Sequence, residues 1–218
     1  STPKPSSAAS DVYKRQDEVH DVIIKKEKEI ESLDRAIGDG DHFINLKRGC
    51  IAIQSINDEL LPLNNSQIFQ KIGMKILSTV GGASGPLFAT FFLEVAKTIK
   101  DSSDELHNFC EGFILAVNAI KQRGKSDIGQ KTMLDVLIPV AETFKTNMGD
   151  NVDRQKLLDA IDVEAHKGVL STKDLFPTKG RAAGLGERAV GHIDPGAKSC
   201  QLMINAVCKV LKDIEDKK

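Results

Sequence analysis

Three carboxylates and a histidine fall within one short stretch, Leu33-Asp34-Arg35-Ala36-Ile37-Gly38-Asp39-Gly40-Asp41-His42. Like charges crowded this closely repel unless a cation sits among them. Hard oxygen ligands with small, flexible neighbours suit Mg²⁺ or Ca²⁺. An EF-hand is excluded, because no Glu closes a twelve-residue loop. Acidic, glycine-containing loops are also ordinary solvated turns, so this stretch gains meaning only from what else the chain offers.

Three further loops offer groups that could meet it. Gly81-Gly82-Ala83-Ser84-Gly85-Pro86 leads into a helix N-terminus, where free backbone N–H groups and the helix dipole attract anions. Ser84 adds a hydroxyl donor, and the Gly-Lys-Ser/Thr ending of a Walker A loop is missing. Arg123-Gly124-Lys125 through Gly129-Gln130-Lys131-Thr132-Met133 carries lysines that could pair with phosphate and a methionine that could pack on a flat base. A solvated helix cap and a core methionine account for the same residues. Lys179-Gly180-Arg181 through Gly191-His192-Ile193-Asp194-Pro195-Gly196 is too long and too glycine-rich for a plain helix connection. In it Arg181 is the natural bidentate phosphate clamp, with Arg188 a second candidate.

The elements that must position these loops read as helix after helix. Val19, Val22, Ile23, Ile30 and Leu33 make one apolar stripe, which predicts a helix over 17–37. Others are expected over 45–58, from a Ser66 cap to Gly81, from Pro86 through 87–99, from a Ser103 cap to Gly124, over 132–148 and over 153–175. Asp194-Pro195 reads as an N-cap followed by proline at the first helical position of the last one. No period-two stretch of strand length occurs. The expectation is an all-α fold, an antiparallel bundle or barrel of eight helices with short connections. In such a fold alternate connections share one rim. The aspartate loop, the glycine turn, the lysine loop and the long loop are connections one, three, five and seven. All four therefore meet at one rim, and together they offer a metal cluster, an anion nest, a basic clamp and an apolar lid. That is what a nucleotide polyphosphate requires.

Composition bounds the partners. The 218 residues are 40% hydrophobic and 28% charged, with a formal net charge of −1. That balance argues against a nucleic-acid binder working by bulk electrostatics. No apolar run reaches membrane-spanning length and no secretory leader pattern opens the chain. Cys50, Cys110, Cys200 and Cys208 lie in apolar helical patterns without CxxC spacing, as buried thiols of a reducing compartment do, so a cytoplasmic setting is expected. Residues 1–16, rich in Ser, Pro and Ala, are expected to be a flexible tail whose composition leaves an adapter origin open, ahead of a single domain over 17–218.

Ile37-Gly38-Asp39-Gly40-Asp41-His42, Gly81-Gly82-Ala83-Ser84-Gly85-Pro86, Gly129-Gln130-Lys131-Thr132-Met133 and Gly191-His192-Ile193-Asp194-Pro195-Gly196, in this order and spacing, resemble the nucleotide-binding L subunits of dihydroxyacetone (glycerone) kinases. The resemblance runs from about residue 17 to the C-terminus. It implies an eight-helix barrel holding ADP or ATP through two Mg²⁺ ions at one end. By motif position the metal ligands are Asp34, Asp39 and Asp41. His42 and Asn45 meet the phosphates, Ala83 and Ser84 supply the anion nest, and Gly124 and Met133 line the adenine side. Arg181 and the Asp194-Pro195-Gly196 turn complete the site. No catalytic nucleophile is assigned in this chain; Arg181 is a phosphate clamp and His42 a candidate proton relay.

The resemblance also implies partners. A separate K subunit holds the ketone, and in phosphotransferase-linked systems an M subunit recharges the nucleotide; nucleic acid and membrane are not expected, and the chain's own oligomeric state stays open. Phe43 follows His42 where the family carries Gly, Gln130 replaces an acidic residue, and Ala183-Gly184 stand where Ser-Tyr is usual. A metal-dependent phosphohydrolase and a non-catalytic nucleotide-binding regulator remain alternatives at this point.

Overall fold

The computed structural model describes residues 7–99, 105–149 and 152–215. Ten α-helices follow one another there: α1 (Ser7–Lys25), α2 (Glu27–Ile37), α3 (His42–Gln54), α4 (Asn57–Leu60), α5 (Asn65–Thr79), α6 (Ser84–Thr98), α7 (Glu105–Gly124), α8 (Leu134–Asn147), α9 (Arg154–Ser171) and α10 (Pro195–Glu215). A 3-10 segment, Arg181–Ala189, lies between the last two. No strand occurs among the described residues, so the all-α expectation holds.

Each long helix packs on its successor, in the order α3, α5, α6, α7, α8, α9, α10, and α1 closes the circuit by packing on both α10 and α3. The count of eight is met only if α2 is taken as the continuation of α1 and α4 as an appendage of α3. The helix expected over 17–37 is interrupted at Lys26 (φ −98°, ψ 11°), although the ladder persists through Lys26 N–H to Val22 O and Ile30 N–H to Lys26 O. It also starts earlier than expected. α1 begins at Ser7, inside the stretch read as a tail, and the Tyr13 hydroxyl donates to Asn57 O at 2.7 Å. The first six residues of that stretch and the expected Ser103 cap lie outside the described residues.

Local sequence explains most helix ends. α5 is capped by Asn64, not Ser66: Asn64 Oδ1 accepts from Gln67 N–H while Gln67 Oε1 accepts from Asn64 N–H, a reciprocal capping box. Ser66 instead donates to Ala96 O on α6. α9 is capped by Asp153 and ends at Ser171, short of the expected 175. The cause is distant in sequence: a lysine from another loop takes up the carbonyls of Thr172 and Lys173.

The periodic apolar positions are the core. Ile68, Ile72, Ile76 and Val80 of α5 and its cap are buried, as are Val136, Leu137 and Val140 of α8. Ile23 and Ile30 pack with Phe43, Leu46 and Leu202, joining α1 and α2 to α3 and α10. The Lys209 ammonium lies 2.6 Å from Glu18 across the same seam. Late α6, early α7 and the end of α8 bring phenylalanines together, with Phe113 centred 5.1 Å from Phe91 and 5.0 Å from Phe144. The four cysteines are free thiols, three of them buried.

Candidate metal and phosphate site

Asp34 sits on the last turn of α2 and is 3% exposed. Its Oδ2 accepts the His42 backbone N–H at 3.0 Å, so a carboxylate from one helix caps the next. That leaves Asp41, the residue at the N-cap position of α3, without a side-chain capping bond. Asp39 and Asp41 are exposed on the connecting loop, and carboxylate oxygens of Asp34, Asp39 and Asp41 lie within 4.8 Å of one another. Gly38 makes this possible, because a Cβ there would fall 1.8 Å from Asp34 Oδ1. The crowding has an electrostatic signature. The Asp41 carboxyl is held above the usual range by partial burial and by the bond to and charge of Asp39, with Asp34 adding; Asn45 relieves it in part. One buried and two exposed carboxylates, mutually repelling and open on one side, form a donor set that fits a hard divalent cation.

The glycine turn faces this cluster. Gly82 has φ +70°, a conformation costly to a residue with a side chain. A Cβ on it would start 3.1 Å from Asn45 Nδ2 and 3.8 Å from Asp41 Oδ2. Asn45 is buried and braces the turn from α3. The first turn of α6 has Ala83 at its N-cap position with no side-chain capping bond, and Ser84 is half-buried beside it. Backbone N–H groups thus point from α6 toward the side of the carboxylates.

The long loop closes the third side. Ala182 and Ala189 of the 3-10 segment are buried against Ile37 of α2, with Leu185 alongside. This seats Arg181 over the aspartate loop, its Nε 2.8 Å from Asp39 Oδ2. The candidate phosphate clamp and a candidate metal ligand are therefore ion-paired.

The remaining candidates have structural duties. His42 is buried, with Nε2 3.0 Å from Ser199 Oγ, which donates to Gly196 O. Burial holds its imidazole below the ordinary range despite Asp34, Asp41 and a bond to the Pro195 carbonyl, so the ring is neutral at pH 7 and ties α3 to α10. Asp194 Oδ2 accepts Ala197 N–H at 2.7 Å, the N-cap expected from the sequence, and burial pushes its carboxyl up to about 7. Pro195 is buried and Gly196 packs beside Met133, where an added Cβ would lie 3.8 Å from the methionine's own. Met133 belongs to the main core cluster and is mostly covered. Gly124 ends α7, exposed, with Leu87 of α6 nearby. Met133, Gly124, Asp194, Pro195 and Gly196 thus reach the rim through backbone and packing, whereas Asp39, Asp41 and Arg181 reach it through charge.

Lys131 departs most from expectation. It was a phosphate-pairing candidate, yet it is 1% exposed with its ammonium among backbone carbonyls. Asp135, also buried, was not singled out; its two oxygens accept Gly129 N–H at 2.5 Å and Thr132 N–H at 2.8 Å and shape the lysine loop. Its position at the start of α8, just after a glycine-containing loop, was the available signal.

A family model described as DAK2 domain matches residues 36–209. The chain is 38% identical over 194 residues to the PEP-dependent dihydroxyacetone kinase 2, ADP-binding subunit DhaL, of Listeria innocua, covering 87% of this chain and 89% of that protein. The corresponding subunit of Escherichia coli is 36% identical over 194 residues, covering 88% and 92%. Among solved structures, the dihydroxyacetone kinase from C. freundii in complex with AMP-PNP and Mg²⁺ superposes with a TM-score of 0.73 at 25% identity. That match covers 94% of this chain and 34% of the longer protein.

Proposed function

Since the chain belongs to the DAK2 domain family, we propose that it is the nucleotide-holding subunit of a dihydroxyacetone kinase, moving a phosphoryl group from bound adenine nucleotide to a ketose presented by a partner. One observation carries this reading: the three carboxylates, the glycine turn at the start of α6 and Arg181 converge on one rim from three separate connections. The relatives' names, with ADP in the subunits and AMP-PNP and Mg²⁺ in the solved kinase, supply the ligand class.

In this reading Asp34, Asp39 and Asp41 hold two Mg²⁺ ions, which when bound neutralise charge on the transferring group. Asp34, fixed by the His42 N–H, sets the inner wall, and the exposed Asp39 and Asp41 complete the set from the loop. The α6 N-terminus with Ala83 and Ser84 receives phosphate oxygens, and Asn45 keeps that turn at its distance from Asp41. Arg181, ion-paired with Asp39 beside the cluster, would offer its fork to the polyphosphate. Gly124, Met133 and the Asp194-Pro195-Gly196 turn border the base. Phosphoryl transfer needs alignment and charge neutralisation more than a protein nucleophile, and no nucleophile is assigned in this chain. The acceptor hydroxyl and its base therefore come from the K subunit, with an M subunit or free ATP renewing the nucleotide. The domain expected over 17–218 is extended at its start by α1, which begins at Ser7, and a cytoplasmic setting belongs to this reading; no described helix is long and apolar enough to cross a membrane.

Calorimetry with ADP, run with Mg²⁺ and with chelator, tests the site. Binding that ignores the chelator refutes it. The chain alone should form no triose phosphate from dihydroxyacetone and ATP, and a K subunit should restore formation. Steady hydrolysis of small phosphate esters by the chain alone would instead identify a phosphohydrolase.

A further inference from the structure

The loop that carries Arg181 is fastened at its foot by a side chain from a different loop. Lys131 Nζ donates to the carbonyl oxygens of Thr172, of Lys173 at 3.3 Å and of His192 at 2.5 Å. The first two lie at the C-terminal end of α9, where the dipole favours a cation; the third precedes α10. Two backbone donors reinforce the junction, Gly191 N–H to Lys173 O at 2.7 Å and Asp194 N–H to Thr172 Oγ1 at 3.0 Å. Residues 174–190 therefore form a loop with joined feet.

An ammonium has three donors and no acceptor, and three carbonyls surround this one. Lys131 adopts φ +59°, an unusual conformation for a residue with a side chain, held by the Asp135 carboxylate from the amides on either side. Such a conformation persists only where its surroundings over-determine it. Burial draws the ammonium below the ordinary lysine range, countered by Asp194, Asp174 and Asp135. A side chain this enclosed has no donor left for a phosphate.

We propose that Lys131 is a positioning residue: by riveting the two feet of loop 174–190 it sets where Arg181 stands over Asp39, without touching the nucleotide. The proposal rests on the nucleotide-binding reading above for its functional part, while the riveting itself does not.

The test is a double-mutant cycle on the full chain. Lys131→Met should weaken Mg²⁺-ADP binding about tenfold, the scale of losing an outer-shell support. In an Arg181→Ala background the same substitution should change affinity less than about twofold, because nothing remains to be positioned. Equal losses in both backgrounds would overturn the proposal, since a purely structural role acts regardless of Arg181. Amide hydrogen exchange of nucleotide-free protein is the second readout: exchange across 174–190 should rise at least about tenfold in Lys131→Met, with α5 and α6 unchanged. An unchanged loop would overturn the rivet. Lys131→Arg keeps a cation among the carbonyls and serves the same two readouts should Lys131→Met not fold, with smaller losses of the same pattern expected. Wild type that fails to bind Mg²⁺-ADP would refute the proposed function, and the exchange measurement would still judge the rivet.

Discussion

The two ends of the helical ring are built on opposite principles. At one end Phe69, Phe91, Phe92, Phe109, Phe113 and Phe144 interlock edge-on and tilted. At the other end three carboxylates repel each other, Gly82 and Lys131 sit at positive φ, and Arg181 stands ion-paired at the surface. The aromatic end gains its stability from contact area. The rim carries crowded charge and positive-φ backbone that cost stability, and the difference predicts which end can be altered without unfolding the chain.

The sharpest way to break this contrast is at the carboxylates. Asp41→Asn should lower Mg²⁺-ADP affinity by at least about a hundredfold by removing a metal ligand. Its melting temperature without nucleotide should stay level or rise, because the ionised Asp41 is disfavoured by its neighbours. Calorimetry beside thermal melts decides it. The mirror experiment is Phe113→Ala, expected to cost about 3–5 kcal/mol of stability while leaving nucleotide affinity of the folded protein within about twofold. A Phe113→Ala protein that melts normally but cannot bind ADP would erase the distinction between the ends.

Arg181→Ala refines the rim further. The exposed pair with Asp39 is worth at most about 1 kcal/mol, so melting should barely move. The rate of triose phosphate formation reconstituted with a K subunit should fall about ten- to a thousandfold, as loss of a charged transition-state contact does.

The carboxylate cluster and the last helix were legible because their logic is local. Asp39-Gly40-Asp41 announces crowding within three residues, and Asp194 ahead of Pro195 announces a cap that the Ala197 N–H indeed fills. The alternation of helix and loop placed four connections at one rim; Asp39 with Arg181 and Asn45 with Gly82 bring three of them together, and Lys131 with His192 O ties the lysine loop to the long loop. Lys131 was misread because its partners lie 41 and 61 residues away. A lysine in a polar, glycine-containing loop advertises solvent, and only the folded chain reveals the carbonyls that claim it. Asn64, not Ser66, caps α5 because Gln67 completes a reciprocal pair with it, a pattern that the Asn64–Gln67 spacing itself carries. The early start of α1 rests on Tyr13 and Asn57, again a contact across 44 positions.

Smaller effects probe the seams between the ends. The Asp194 carboxyl titrates near 7 in the folded protein and near 3.8 in an ordinary setting. Between those values the native state holds the extra proton, so stability should fall as pH rises from about 4 to about 7 and level off above. Asn also caps helices well, so Asp194→Asn should flatten that slope in pH-dependent urea melts; an unchanged slope would assign the titration elsewhere. Smallest of all, Tyr13→Phe should cost about 1 kcal/mol, the worth of one hydrogen bond to Asn57 O, read as a shifted urea midpoint.

The seam at which α1 packs against α10 joins the first helix of the circuit to its last, with Lys209 and Glu18 separated by 191 positions. On the ribosome, α1 therefore emerges long before the surface that covers Ile23 and Ile30 has been synthesised. Bringing such distant segments together carries a larger loop-closure entropy than docking neighbouring helices, so this seam is expected to form late in folding. The same helix carries Ser199, which grips His42 beside the carboxylates. Without α10 the chain would lack both the seam that closes the ring and the Ser199 contact that holds His42 beside Asp34, Asp39 and Asp41.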